Sequence, residues 1–224
     1  MRAYLRDNSL ALVFLALFLA AVLGQALVGH ADFNHDQAAH QDATVSLWRY
    51  ITSSAYAVDV MENWQSEYLQ FSLFILGTVW LVQRGSTESK PPGEEGGESD
   101  EEQKVGEHAE EDSPKWAKAG GLRTLVYSNS LLLLMTTIWL GSWFAQLVAG
   151  RVDYNAQQFD HHEEPLNLMQ YAGSSDFWNR TLQNWQSEFL AVASMVVFSI
   201  WLRQRGSTQS KPVGTPHATT GAEG

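Results

Sequence analysis

The sequence predicts an all-α membrane protein: four transmembrane helices as two tandem helical hairpins (a parallel repeat), joined by a disordered acidic cytoplasmic linker. Three observations predict it. Apolar residues gather into four blocks, a motif-rich stretch recurs at a fixed offset, and most of the acidic surplus falls in one segment between the two copies.

The blocks define the helices. Ser9 to Val28 reads SLALVFLALFLAAVLGQALV, with Gln25 its one polar side chain after the opening serine. About 20 residues at a rise of about 1.5 Å span roughly 30 Å, the hydrocarbon thickness of a bilayer. Ser130 to Ala149, SLLLLMTTIWLGSWFAQLVA, is equally long and uncharged. Trp64 to Val82 and Trp185 to Leu202 each carry one acid near the start, Glu67 and Glu188.

The order of the blocks comes from a duplication, looked for ahead of any fold assignment. NWQSEYLQFSLFILGTVWLVQRGSTESKP begins at 63 and NWQSEFLAVASMVVFSIWLRQRGSTQSKP at 184, an offset of 184 − 63 = 121, with 16 of 29 positions identical. Without a gap the same offset carries Asn8-Ser9-Leu10 onto Asn129-Ser130-Leu131, Gln25 onto Gln146 and Gly29 onto Gly150. It also carries Asp32-Phe33-Asn34 onto Asp153-Tyr154-Asn155, Gln37 onto Gln158, His40 onto His161, Asp42 onto Glu163 and Tyr50 onto Tyr171. Each unit holds two spans: 1–84 is the first repeat, 85–121 the linker, 122–205 the second repeat and 206–224 a flexible tail. Arg2 and Arg6 before the first block and Gly29-His30-Ala31 after it would also fit a cleaved signal peptide. Its counterpart at 129–150 is internal, so the first block is read as a retained span.

Charge orients the hairpins. Arg2, Arg6, Arg84, Lys90, Lys115, Lys118, Arg123, Arg203, Arg205 and Lys211 flank the spans on one side, against Arg49, Arg151 and Arg180 on the other. The positive-inside rule then places both termini and the linker in the cytoplasm of a cell (inner) membrane, and loops 30–62 and 150–183 outside. An even number of spans per unit gives both units one orientation, related by an axis along the membrane normal. The linker sets eleven acids against four lysines and almost lacks large apolar residues, so burial cannot offset its ordering entropy. Much of the net charge of −11 resides there, and with no basic surface a nucleic-acid function is excluded. Zero cysteines exclude disulfides and thiolate metal sites.

ENWQSEYLQ and QNWQSEFLA, each followed by a span and QRGSTxSKP, resemble a family of uncharacterised bacterial integral membrane proteins, a domain of unknown function. The resemblance covers both units and implies a multi-pass bacterial membrane protein. It implies no activity. Tyr68 stands where the second unit has Phe189, a mild departure.

Candidate site residues follow from depth. The uncharged run Tyr68 to Val82 is 15 residues, about 22 Å of helix, so a crossing helix brings part of the polar pentapeptide into the bilayer's outer edge. Asn63 with Glu67, and Asn184 with Glu188, share a face at i,i+4. Gln25 and Gln146 fall at similar depth and are expected to hydrogen-bond Glu67 and Glu188. In a structural role the glutamates cap a helix start, favoured by its dipole, with Trp64 and Trp185 as interfacial anchors. In a functional role they line a shared polar pocket and bind a cation or carry protons.

Other signals are weaker. His40, His161, Asp42 and Glu163 recur in the outer loops and could donate to a divalent cation, without any recognised ligand spacing. Asp32 and Asp153 are expected to stop the first helix of each unit. Leu47, Tyr50 and Ile51 fit a short amphipathic helix on the outer surface, and Ser53-Ser54 and Ser174-Ser175 suit helix caps. Trp80 and Trp201 fit the inner aromatic belt, Arg84 and Arg205 lipid phosphates, and Gly85 and Gly206 helix termination. No serine nucleophile has a recurring base. The expectation is a non-enzymatic scaffold or envelope component without a cofactor, with the lipid bilayer, further copies of the chain or other membrane proteins as partners. A small channel or proton/cation-coupled transporter using the paired glutamates is the alternative, and a metal-dependent enzyme using His40 and His161 the third.

Overall fold

The structure, a computed structural model, describes residues 2–221. It is all-helical, with no strand among the described residues. In chain order the helices are α1 (Arg2–Asp7), α2 (Ser9–Ala39), α3 (Leu47–Ile51), α4 (Ser54–Trp80), α5 (Gly121–Ser128), α6 (Ser130–Asp160), α7 (Leu168–Ala172) and α8 (Ser175–Trp201). The long elements recur in length: α2 and α6 have 31 residues, α3 and α7 five, α4 and α8 27. Their starts differ by 130 − 9 = 168 − 47 = 175 − 54 = 121.

Two of these helices, α2 and α6, are long and apolar enough to cross a membrane; α4 and α8 are long enough but carry a polar, charged first half. None of α2's residues is buried, and Leu10, Phe14, Leu17, Leu23 and Val28 stand at least 59% exposed. From Ser9 to Val28 this helix is apolar on every side, the composition of a candidate membrane span.

The chain divides into two compact units, 1–61 with 145–171, and 62–144 with 172–224. In the first, α2 and α6 do not stop at Asp32 and Asp153, as the sequence suggested; both acids lie inside the helices, which end near residues 40 and 161. The reason is an asparagine two residues past each aspartate. Asn34 Oδ1 accepts from the Val45 N–H (2.8 Å) while its Nδ2 donates to the Val45 carbonyl (3.0 Å). Asn155 holds Leu166 in the same way, at 2.8 and 2.9 Å. Each amide substitutes for a peptide group, so the chain can fold back along a still-helical segment. The reversal occurs at Gln41 (φ 65°) and His162 (φ 60°), both in the left-handed region that costs most side chains energy.

The short helices α3 and α7 lay a buried tyrosine against the preceding long helix. Tyr50 and Tyr171 are 4% and 0% exposed. A methyl group at Gly29 would sit 2.3 Å from Tyr50 Oη, and one at Gly150 would sit 2.5 Å from Tyr171 Oη. Phe33 flanks Tyr50 at 5.5 Å and Tyr154 flanks Tyr171 at 5.6 Å between ring centroids. The serine caps match expectation: Ser53 Oγ accepts from the Tyr56 N–H and Ser174 Oγ from the Phe177 N–H, both at 3.3 Å.

In the second unit, α4 and α8 end at Trp80 and Trp201, several residues ahead of Gly85 and Gly206. The glycines, at φ 86° and 81°, instead shape the QRGST loops beyond the helices. In each loop the serine of Ser-Lys-Pro ties back to the glutamine. Ser89 Oγ accepts from the Gln83 N–H (2.8 Å) and Ser210 Oγ from the Gln204 N–H (2.9 Å). Residues 85–120 form turns and one 3-10 helix, Gly106–His108. The segment beyond 206, expected as a flexible tail, hydrogen-bonds the first QRGST loop over its described residues. Lys211, 1% exposed, donates to the carbonyls of Gly85 (2.6 Å), His217 (2.8 Å) and Thr219 (3.1 Å). Burial, with Arg203 nearby, holds its ammonium below the usual lysine range.

Candidate functional site

The pentapeptides do not open their helices. Helix α4 begins at Ser54 and α8 at Ser175, so Asn63 and Asn184 lie nine residues in. Glu67 and Glu188 therefore cannot cap a helix start, and the dipole, felt within the first turn, does not account for them.

The two copies also present different faces. In the first, Gln65 and Ser66 are buried (0% and 1% exposed) while Glu67 is exposed. In the second, Gln186 and Ser187 are exposed and Glu188 is half-buried. The Trp185 Nε1–H donates to Gln65 Oε1 (2.8 Å), and Gln65 Nε2 donates to the Glu62 carbonyl (3.0 Å). Gln65 is thus a buried amide with both ends engaged, as a polar group removed from solvent requires. Sequence reasoning missed it because the search favoured the charged member of the motif, and adjacent residues differ by about 100° around a helix, which composition does not resolve.

Trp185, expected as an interfacial anchor, lies in an aromatic cluster around Trp143, whose ring centroid is 5.9 Å from that of Trp185, 6.0 Å from those of Trp139 and Phe177, and 6.1 Å from that of Trp178. Such rings bury large apolar areas and lock geometry. Trp64 is 37% exposed, and Trp80 and Trp201, at 62% and 57%, occupy the last positions of their helices. Arg84 and Arg205 are exposed.

A second charged centre precedes the pentapeptides. Arg180 lies 3.3 Å from Glu62 and 3.4 Å from Asp176, with all three side chains less than a third exposed. Asn184 Nδ2 donates to the Arg180 carbonyl (2.9 Å) rather than to a glutamate. Gln146 is buried and Gln25 exposed, both in the first unit.

His40 and His161 serve the helix ends. His40 Nδ1–H donates to the Asp36 carbonyl (2.9 Å), and the His161 N–H to the Gln157 carbonyl (3.2 Å). His40, Asp42, His161 and Glu163 are exposed, and among the described residues no group of three or more such side chains could hold a metal ion. Burial pushes the Tyr50 phenol above the usual tyrosine range, with Asp59 and Asp32 adding to the effect.

These observations define an all-helical protein with two helices able to cross a membrane. The chain belongs to the family described as Domain of unknown function (DUF6766), which matches residues 1–222. No curated protein and no solved structure matches it.

Proposed function

We propose that the protein is a non-enzymatic membrane scaffold or envelope component, with four helices crossing the bilayer as two tandem hairpins and both termini cytoplasmic. The observation that carries this reading is the Trp185–Gln65 hydrogen bond. It engages the recurring polar motif in joining α4 to α8, which is what a structural role asks of it. The repeated element lengths support the duplication, and the bare apolar surface of α2 supports the bilayer.

For α4 and α8 to cross, the charged first halves must remain at the outer edge. The uncharged helical runs, Tyr68 to Trp80 and Phe189 to Trp201, supply about 20 Å of the roughly 30 Å required, which leaves Glu67 and Glu188 towards the outer edge, where a charge costs less than at mid-span. The absence of cysteine makes the topology directly testable with single substitutions. Thr44→Cys is expected to react with an impermeant maleimide in intact cells and Ser99→Cys only after permeabilisation. Labelling of Ser99→Cys from outside would overturn the orientation.

The recurrence of the motif glutamate, with Glu188 half-buried, motivates a second reading, a small channel or proton/cation-coupled transporter. Proteoliposome flux decides it. Wild type without proton or alkali-cation flux sinks this reading, and flux that survives Glu67→Gln/Glu188→Gln sinks the assignment to these acids.

A further inference from the structure

We propose that the second QRGST loop is a docking site for a second copy of this chain, and that the segment following the first QRGST loop of that copy seats on it. The repeat does not end with α4 and α8 but continues into a small cap on each. By the 121-residue offset Val79 and Gly96 correspond to Ile200 and His217. The Gly96 N–H donates to the Val79 carbonyl (2.7 Å), and the His217 Nδ1–H to the Ile200 carbonyl (3.0 Å), so each cap satisfies a carbonyl of the last helical turn. Lys90 donates to the Gly96 carbonyl (3.0 Å) as Lys211 does to that of His217 (2.8 Å). The turns between agree as well, the Glu94 N–H donating to the Pro91 carbonyl (3.1 Å) and the Thr215 N–H to that of Pro212 (2.9 Å).

Within the chain the two caps meet through unlike faces. Lys211 donates to the Gly85 carbonyl (2.6 Å), the Gly85 N–H to Thr220 Oγ1 (2.9 Å) and the Gly221 N–H to the Ser86 carbonyl (3.0 Å). A contact of this heterologous kind leaves one face of each sort unused. The unused receptor is Gly206-Ser207, and it has the shape of the one in use. Gly206 has φ 81° against 86° for Gly85, and the Ser207 N–H donates to the Gln204 carbonyl (3.2 Å) as the Ser86 N–H does to that of Gln83 (3.1 Å). Ser207 Oγ accepts from the Gln209 N–H (3.2 Å) as Ser86 Oγ does from the Glu88 N–H (3.1 Å). Gly85 and Ser86 are buried, whereas Gly206 is exposed and its peptide groups bond nothing among the described residues. The unused opposite face is Lys90, Ser99 and Asp100, which the same offset aligns with Lys211, Thr220 and Gly221. Lys90 spends two of its donors inside its own cap, on the Gly96 carbonyl and Glu98 Oε1, both at 3.0 Å, and has a third for the Gly206 carbonyl. Ser99 Oγ donates to Glu102 (2.8 Å) and accepts from the Glu102 N–H (3.3 Å), which leaves a lone pair for the Gly206 N–H. Two chains that exchange this contact close their caps into a ring with a twofold axis.

The cysteine-free chain makes the contact testable by cross-linking of the full protein in detergent micelles. Asp100→Cys and Ser207→Cys, made as separate variants, mixed and oxidised, are expected to give disulfide-linked dimers of unlike chains almost exclusively, where random pairing would give only half. Ser86→Cys/Gly221→Cys, across the contact seen within the chain, is the positive control and should close without dimerising. Gly206→Asn keeps a residue that tolerates the left-handed backbone but adds the Cβ that at Gly85 would lie 2.5 Å from the His217 carbonyl oxygen. Introduced beside Ser207→Cys, it is expected to abolish the cross-link, and alone to halve the particle mass by light scattering. Lys90→Met removes the ammonium and leaves the receptor loop untouched, so it should reduce the cross-link even where Gly206→Asn proves unstable. Random pairing, or no cross-link while the control closes, would overturn the proposal, as would a cross-link that survives Lys90→Met undiminished. The contact needs no bilayer, so maleimide labelling that overturned the topology would leave it standing.

Discussion

Replacing Gly29 or Gly150 by alanine tests the glycine–tyrosine contacts of the first compact unit. Two effects oppose one another. Alanine is better than glycine in a helix interior by about 0.8–1.0 kcal/mol, which alone would stabilise α2 or α6. Against this, the new methyl would lie 2.3 Å from Tyr50 Oη or 2.5 Å from Tyr171 Oη, where ordinary contact begins near 3.4 Å, so the phenols must retreat by 3.4 − 2.3 = 1.1 Å and 3.4 − 2.5 = 0.9 Å. Tyr50 has little room to do so, with the rings of Phe33, Tyr56 and His30 at 5.5, 5.4 and 5.9 Å. Overpacking of this kind costs about 1–3 kcal/mol, and displacement of a ring already 4% exposed belongs at the upper end. The net expectation is a loss of about 2 kcal/mol for Gly29→Ala, a fall in Tm of roughly 5 °C. Gly24→Ala and Gly141→Ala are the internal controls, since a methyl there meets nothing within 4 Å; they should be neutral or slightly stabilising. Thermal unfolding in detergent reads all four, and Tyr50→Phe should recover part of the Gly29→Ala loss by removing the atom most overlapped. Equal stability of Gly29→Ala and Gly24→Ala would refute the reasoning.

Other outcomes follow from single contacts. Asn34→Ala removes both hydrogen bonds to Val45 and is expected to cost about 2 kcal/mol and to open residues 41–46 to protease; unchanged cleavage there would count against the clasp. Trp185→Phe leaves Gln65 Oε1 without its indole donor, for a loss of about 1–3 kcal/mol that Gln65→Leu should partly offset in the double variant; strictly additive losses would deny the pairing. Lys211→Met strands three carbonyls and is expected to raise amide hydrogen exchange over 215–221, while exchange as in wild type would mean the lysine does not hold the tail. Tyr50 has a raised folded pKa, so the folded state keeps its phenol proton longer than the unfolded chain does; the contribution is fully present below about pH 10 and lost as pH rises through the folded value. Tyrosinate absorbance of wild type against Tyr50→Phe should show one late-titrating tyrosine, and its absence would contradict the burial.

The outline was legible in the sequence because it rests on composition and spacing. The 121-residue offset places equal elements at equal intervals, serines at 53 and 174 precede helices that they cap, and 47–51 reads as a short amphipathic turn. Where each helix ends was not legible, because the cause is remote. Asp32 and Asp153 are good turn formers, but Asn34 and Asn155 bond backbone eleven residues away and so let the helix run past them. Likewise the helix ends before QRGST were misplaced, because the glycines act in the loop and not in the final helical turn. For the site, the pentapeptide was recognised and its buried member was not. Charge is visible in a sequence, whereas the rotation that turns Gln65 inward and Glu67 outward is set by packing against α8.

That rotation bears on the choice between scaffold and channel. A pore or proton path on a pseudo-twofold axis would place Glu67 and Glu188 in equivalent surroundings, and their duplicated sequence would give them equivalent roles. Their surroundings differ: Glu67 is exposed and Glu188 half-buried, Gln65 is buried while Gln186 is exposed, and the second copy's tryptophan donates to the first copy's glutamine. Two occurrences of a motif within one chain are free to differ in this way because each meets the other at one fixed place, so one can supply donors and the other acceptors. The divergence favours a motif kept for joining helices over one kept for a symmetric ion path. The single variants weigh it directly: Glu67→Gln and Glu188→Gln should differ in stability, with the half-buried Glu188 the more sensitive, whereas equal and large losses of ion flux from either would restore the symmetric reading.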